Sequence, residues 1–257
     1  MRELLEAVAA GRVSPAEAEA ELAGYATVDA GRFDAARETR AGVPEAILAE
    51  GKTPAEVADL ATAAVETTGR AIATRLDEAH AQAIRDAVGA AAPDATIVHH
   101  DRANVLVVHG PDFTRPDLAA TVGVVTAGTS DAIPAGEAAV IAREVGADVE
   151  RVDDVGVASI ARVLDQVEAL RAMDVLIVAA GREGALPTVL AGLVDTPVIG
   201  VPVSTGYGHG GDGEAALSGM LQSCTALTVV NVDAGFTAGA QAGLIARTVD
   251  GARADGG

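Results

Sequence analysis

The chain has 257 residues, 49% of them apolar, and carries 37 acidic against 18 basic side chains for a net charge of -19. Such a balance excludes nucleic-acid binding through phosphates, which needs basic patches. A single cysteine excludes an intrachain disulfide and a cysteine-rich zinc site, and no apolar run reaches membrane-spanning length.

With no Trp, three Phe and two Tyr, the core must be aliphatic. Lys52 is the sole lysine. Acidic excess with lysine depletion reads as adaptation to a salt-rich, halophilic cytoplasm, where a Debye length of ~3 Å at molar salt removes most self-repulsion. The opening Met1–Ala10 reads as an amphipathic helix interrupted by Glu3 and Glu6, not as a secretory leader. A cytoplasmic location is the expectation, since one unpaired cysteine suits a reducing compartment.

Residues 1–24 predict two short helices, the second opened by a capping box, Ser14-Pro15-Ala16-Glu17. Residues 25–42 read as irregular and charged, with Arg32, Arg37 and Arg40 close together. A strand is expected over 44–50. A second capping box, Thr53-Pro54-Ala55-Glu56, opens a helix to about Thr68. A strand over 71–75, a helix over 77–88 and strands over 96–100 and 104–109 complete a small α/β unit, placed at residues 1–112. The segment Gly110–Pro116, with two prolines and a glycine, is the linker.

From 119 to 257 the rhythm changes. Apolar strands are expected over 122–126, 148–152, 175–180, 198–201 and 227–232, with helices over 134–145, 159–172, 186–193 and 214–223. Strands apolar on both faces that alternate with helices mean a parallel sheet covered on both sides. The tail after Thr248, polar and glycine-rich, is expected to fray.

The loops that follow the strands of such a sheet gather where ligands bind, and three are chemically loaded. In the first, Gly128, Thr129, Ser130 and Asp131 offer free amides, two hydroxyls and a carboxylate for an anionic ligand, or ordinary helix capping. In the second, Gly181, Arg182, Glu183, Gly184 and Ala185 place two charges between glycines, where the alternative is a solvated ion pair. The third runs from Ser204 through Gly206, Tyr207 and Gly208 to Gly213, a cradle in which glycine lets backbone amides approach a phosphate or carboxylate. It leads through a short helix to Cys224, either a nucleophile or a small buried hydrophobe. His209 lies in this loop, and His99, His100 and His109 lie on or beside strands without spaced carboxylates. No dinucleotide fingerprint follows the first strand of this half, and no phosphate-loop lysine is present.

Taken together, T-A-G-T-S-D at 126–131, D-D-V-G-V-A at 153–158, A-A-G-R-E-G-A-L-P at 179–187, V-I-G-V-P-V-S-T-G-Y-G, M-L-Q-S-C and V-V-N-V-D-A-G-F-T-A-G resemble the LarB family. So do R-E-T-R-A-G-V-P-E-A-I-L-A-E-G-K-T at 37–53 and A-T-R-L at 73–76 in the first half. The resemblance implies a small N-terminal α/β domain followed by a doubly wound, flavodoxin-like three-layer domain of the PurE type. It implies an enzyme that carboxylates C5 of the pyridinium ring of nicotinic acid adenine dinucleotide and hydrolyses the phosphoanhydride to release AMP. That reaction starts synthesis of the nickel-pincer nucleotide of lactate racemase. Carbon dioxide is then the co-substrate, no organic cofactor is needed, and a divalent ion such as Mg2+ stays open. A homo-octamer or tetramer is implied as well.

Cys224 matches the family's nucleophile, and Asp131 and Glu183 are the candidates for proton transfer and for holding the pyridinium. Arg37, Arg40, Lys52 and Arg75 are expected to face the dinucleotide phosphates or the PurE-like site. The chain departs from the family pattern where Ala161 replaces a histidine, Ala234 an amide and Thr237 a glycine. Two other readings compete: an aminoimidazole ribonucleotide carboxylase or mutase, and a non-catalytic nucleotide-binding regulator on the same fold.

Overall fold

A computed structural model describes residues 2–256, with side chains at all of these except 2, 3, 16, 17 and 21. The expected capping box at Ser14 involves the Glu17 side chain and so lies outside the described residues. The chain divides into two compact units, Met1–Thr114 and Arg115–Gly257.

The first unit opens with α1 (Arg2–Ala9) and α2 (Pro15–Ala23), then a hairpin of β1 (Ala26–Val28) and β2 (Gly31–Phe33), then α3 (Arg37–Ala41). The stretch expected to be irregular is thus ordered. Ala26 pairs with Phe33 across a two-residue turn, and burying Phe33 repays the ordering. The strand expected over 44–50 shrinks to β3 (Ile47–Leu48), since Pro44 has no amide to give a ladder. Next come α4 (Pro54–Thr68), β4 (Arg70–Thr74), α5 (Glu78–Ala91), β5 (Thr96–His100) and β6 (Val105–His109).

The Thr53 box closes as expected. The Thr53 hydroxyl accepts from the Glu56 amide, and the Glu56 carboxylate accepts from the Thr53 amide at 2.7 Å. The mixed sheet runs β3-β4-β6-β5, with only the β3–β4 pair parallel. Its Ala71, Ala73, Leu106 and Val108 pack with Val57, Leu60 and Ala64 of α4 and Ile84 and Val88 of α5.

The second unit holds β7 (Thr121–Thr126), α6 (Ala132–Val145), β8 (Asp148–Val152), α7 (Ile160–Leu164), α8 (Val167–Arg171), β9 (Val175–Ala180), α9 (Ala185–Ala191), β10 (Val198–Pro202), α10 (Glu214–Leu221), β11 (Leu227–Val229) and α11 (Gly235–Asp255). Its five strands are all parallel, in the order β11-β10-β9-β7-β8. Alternation along β9 makes three layers. Val175, Ile177 and Ala179 join the core with α6 and α11, while Leu176, Val178 and Ala180 join that with α7–α10. The helix expected over 159–172 is two helices broken at Asp165–Gln166, and the strand over 227–232 ends at Val229.

The largest departure is α11, 21 residues long, in a stretch where no helix was expected and whose end, after Thr248, was expected to fray. Gly235, Gly239 and Gly243 recur every fourth residue, which is a turn-like composition but one helix face. That face meets α6 at backbone distance. A Cβ at Gly235 would lie 2.2 Å from the Pro134 carbonyl oxygen, and one at Gly239 2.4 Å from that of Ala138. Glu137 of α6, 3% exposed, accepts from the Phe236 amide at 3.0 Å and so caps α11, whose own cap position is Ala234. At the far end Arg253 pairs with Asp174, and Asp250 accepts from the Ala119 amide, so the tail is held.

Two alanine substitutions on α11 should therefore have opposite results. Gly239→Ala forces the helices apart and should cost about 1–3 kcal/mol. Gly251→Ala meets open space and should be neutral or stabilise by up to ~1 kcal/mol, the helix-propensity gain. Urea midpoints at matched slopes check this; equal effects would contradict the packing described.

Candidate functional site

The sheet order reverses between β7 and β9, which opens a crevice at their carboxyl ends. Asp131 sits there. The loop after β7 turns through Gly128–Ser130, and the Asp131 carboxylate folds back to accept from the Gly128 amide at 2.7 Å. The opposite wall is Gly181, directly after β9, where a Cβ would lie 3.5 Å from the Asp131 Oδ1 and 2.6 Å from the Thr205 carbonyl oxygen. Only glycine lets these three loops meet. Thr205 also donates to the Ser130 carbonyl at 3.4 Å, tying the loop after β10 to the loop after β7.

Asp131 is 2% exposed. Desolvation pushes its pKa up, against the lowering effect of hydrogen bonds from the Gly128 and Gly181 amides and the Ser130 hydroxyl. Arg182 is engaged elsewhere: its guanidinium lies 4.1 Å from the Tyr207 ring centroid and donates to the Tyr207 hydroxyl at 3.0 Å.

Backbone strain gathers at this end of the sheet. Asp154, Arg182, Asp212 and Asp233, one in each loop after β8, β9, β10 and β11, have φ between 54° and 61°. The left-handed region costs a non-glycine residue about 1–2 kcal/mol, less for aspartate, whose side chain bonds locally. Asp233 does so: its carboxylate accepts from the Ser204 amide at 3.0 Å and its amide donates to Pro202. Thr126, the last residue of β7, donates to Asp153 and accepts from the Asp154 amide, both at 3.1 Å. Thr126, Thr205 and Asp233 were not among the expected site residues. Their signal was position, since Thr126 ends a strand and Asp233 and Thr205 follow within four residues.

The structure thus brings Gly128, Ser130, Asp131 and Gly181 together with the Ser204–Tyr207 segment, and stacks Arg182 on Tyr207. Thr129 and Gly208 lie in the same two loops, and Gly184 and Ala185 lead from Gly181 into α9. Glu183 is exposed, with its carbonyl against α10, where a Cβ at Gly219 would lie 2.5 Å from it.

Cys224 lies elsewhere. It is exposed and follows α10, whose eight residues rise ~12 Å from the carboxyl end of the sheet. It precedes the parallel strand β11, and its neighbour Thr225 approaches Gly192 at the C-terminus of α9. Within one chain, Cys224 and Asp131 therefore lie toward different ends of the sheet.

The four basic residues assigned to phosphates lie in the first unit, each engaged there. Arg37 pairs with Glu45 at 2.8 Å, Arg40 with Asp34, Arg75 with Glu50 at 2.9 Å, and Lys52 donates to the Leu48 carbonyl at 2.7 Å. Among the described residues no three His, Cys, Asp or Glu gather as a metal site. Among them, too, no helix is long and apolar enough to cross a membrane.

The Asp131 shift has a sign that can be checked. A folded pKa above the unfolded one contributes stability that is full below the unfolded value and lost as pH rises through the folded value. Thermal stability of wild type relative to Asp131→Ala should therefore fall with rising pH in the window just above the ordinary aspartate range. The slope is read, not the offset, because the variant also loses hydrogen bonds. A flat difference across that window would contradict the desolvated carboxylate.

Comparison with known proteins places both units. Residues 25–110 match the LarB/PurE-like N-terminal domain model, and residues 121–255 match the AIR carboxylase model. An uncharacterized protein of Methanocaldococcus jannaschii, MJ0165, is 38% identical over 221 residues, covering 84% of each chain. With a LarB-type N-terminal domain followed by an AIR carboxylase domain, the chain belongs to the LarB family.

Proposed function

We propose that this AIR carboxylase-related protein carboxylates the pyridinium ring of nicotinic acid adenine dinucleotide at C5 and cleaves its phosphoanhydride, releasing AMP. The observation that carries the reading is Asp131: a buried carboxylate whose charged form is disfavoured by desolvation, while the Arg182 guanidinium of the facing loop is stacked on Tyr207. Such a group is stabilised by a cationic ligand, and a pyridinium ring is one. An aminoimidazole ring offers no fixed positive charge.

An intact pyridinium is too electron-poor to attack carbon dioxide. Addition of the Cys224 thiolate at C4 breaks the aromaticity and turns C5 into an enamine-like nucleophile. C5 forms a bond to carbon dioxide, a carboxylate removes the C5 proton, and the C4–sulfur bond breaks as the ring regains aromaticity. Asp131, its proton affinity raised by desolvation, serves as that base, and exposed Glu183 shares the proton traffic. Water then cleaves the phosphoanhydride, with the glycine-rich loops after β7 and β10 holding the anion.

Because Cys224 and Asp131 lie toward different ends of one sheet, the reading requires a homo-oligomer in which Cys224 of one copy meets the Asp131 loops of another. The lost histidine at Ala161 takes no part in this route. Arg37, Arg40, Lys52 and Arg75 would contact phosphate only by exchanging their present partners.

Incubation with nicotinic acid adenine dinucleotide and labelled bicarbonate should yield AMP and a labelled pyridinium mononucleotide. Cys224→Ala should lower both by about 10³-fold or more, the scale of losing a covalent nucleophile, with the fold intact. Normal turnover by folded Cys224→Ala would remove the covalent route. In a parallel incubation with aminoimidazole ribonucleotide and labelled bicarbonate, label entering that nucleotide would favour a PurE-type carboxylase, as the domain match over 121–255 allows.

A further inference from the structure

Tyr207 is 78% exposed in a chain with two tyrosines and no tryptophan, an unusual use of a scarce aromatic. It does not hang free. One ring face is covered by the Arg182 guanidinium, 4.1 Å from the centroid, and the hydroxyl accepts from the same guanidinium at 3.0 Å. Arg182 reaches it from a left-handed backbone, φ 54°. Two residues earlier, Thr205 anchors the loop to Ser130, beside Asp131. The ring is thus fixed in orientation, with its second face open to solvent at the mouth of the crevice.

We infer that the open face of Tyr207 is a stacking platform for a neutral purine base, the adenine of the substrate. This assignment rests on the dinucleotide reading above. Charge decides which ring stacks there. A guanidinium already occupies one face of the Tyr207 quadrupole, so a second cation on the other face gains less and is repelled by Arg182. A neutral purine stacks without that cost. The cationic ring is matched by the Asp131 carboxylate instead, so the two ends of the dinucleotide sort by charge. Arg182 acts through Tyr207 as a positioning residue.

The test uses AMP and nicotinic acid mononucleotide as separate probes of the full-length protein by calorimetric titration. Tyr207→Ala should weaken AMP about tenfold, as loss of a base–aromatic stack does, while nicotinic acid mononucleotide changes by less than about twofold. Tyr207→Phe, which keeps the ring, should retain AMP affinity within about threefold. Tyrosine emission, which arises only from Tyr25 and Tyr207, should respond to AMP in wild type and in Tyr25→Phe but not in Tyr207→Phe. AMP affinity unchanged in Tyr207→Ala, or loss of the pyridinium probe instead, overturns the platform and leaves the carboxylase reading standing. A wild-type protein that binds neither probe removes both.

Discussion

Backbone meets backbone at glycine, and the second unit is assembled from such meetings. At Gly181 no side chain fits, because a Cβ would sit 2.6 Å from the Thr205 carbonyl oxygen. At Gly184 and Gly219 the loop after β9 and helix α10 press together in the same way. At Gly235, Gly239 and Gly243, α11 lies against α6. These close approaches fix by sterics where the loops after the strands can lie. Polar contacts hold them as well: Asp233 to Ser204, Thr205 to Ser130, Thr126 to the Asp153–Asp154 turn, and Glu137 to the Phe236 amide of α11.

That framework explains how a carboxylate is kept buried at Asp131. Amides from Gly128 and Gly181 hold its oxygens, but they do not offset the loss of water, and its proton affinity stays raised. A buried charge without a cation is an expensive arrangement for stability alone. On the proposed reading a positive ring offsets that cost, and desolvation makes the carboxylate a stronger proton acceptor than an ordinary aspartate. The same glycine-built crevice presents Tyr207 and Arg182 at its rim.

Much of this was legible in the sequence, for reasons that differ by element. Thr53-Pro54-Ala55-Glu56 predicted the start of α4 because its cap is local chemistry. The parallel sheet was legible because apolar runs at β7, β9 and β10 leave no solvent face. The β1–β2 hairpin was hidden by the absence of a standard turn pair at Asp29–Ala30. Helix α11 was hidden because glycine carries a helix penalty, which its close packing on α6 overrides. Asp131 and Gly181 were legible as post-strand positions. Cys224 was grouped with them through the glycine-rich segment it follows, yet α10 carries it toward the other end of the sheet. Sequence proximity to a loop is not proximity to that loop's site.

The central claim is that Asp131 is a desolvated carboxylate awaiting a cation. It is tested most directly by following the carboxyl carbon of Asp131 by 13C nuclear magnetic resonance through a pH titration, without and with saturating nicotinic acid mononucleotide. The account predicts a pKa above the ordinary aspartate value in the free protein that falls when the pyridinium binds. A pKa at the ordinary value in the free protein, or one that stays put or rises on binding, would contradict it.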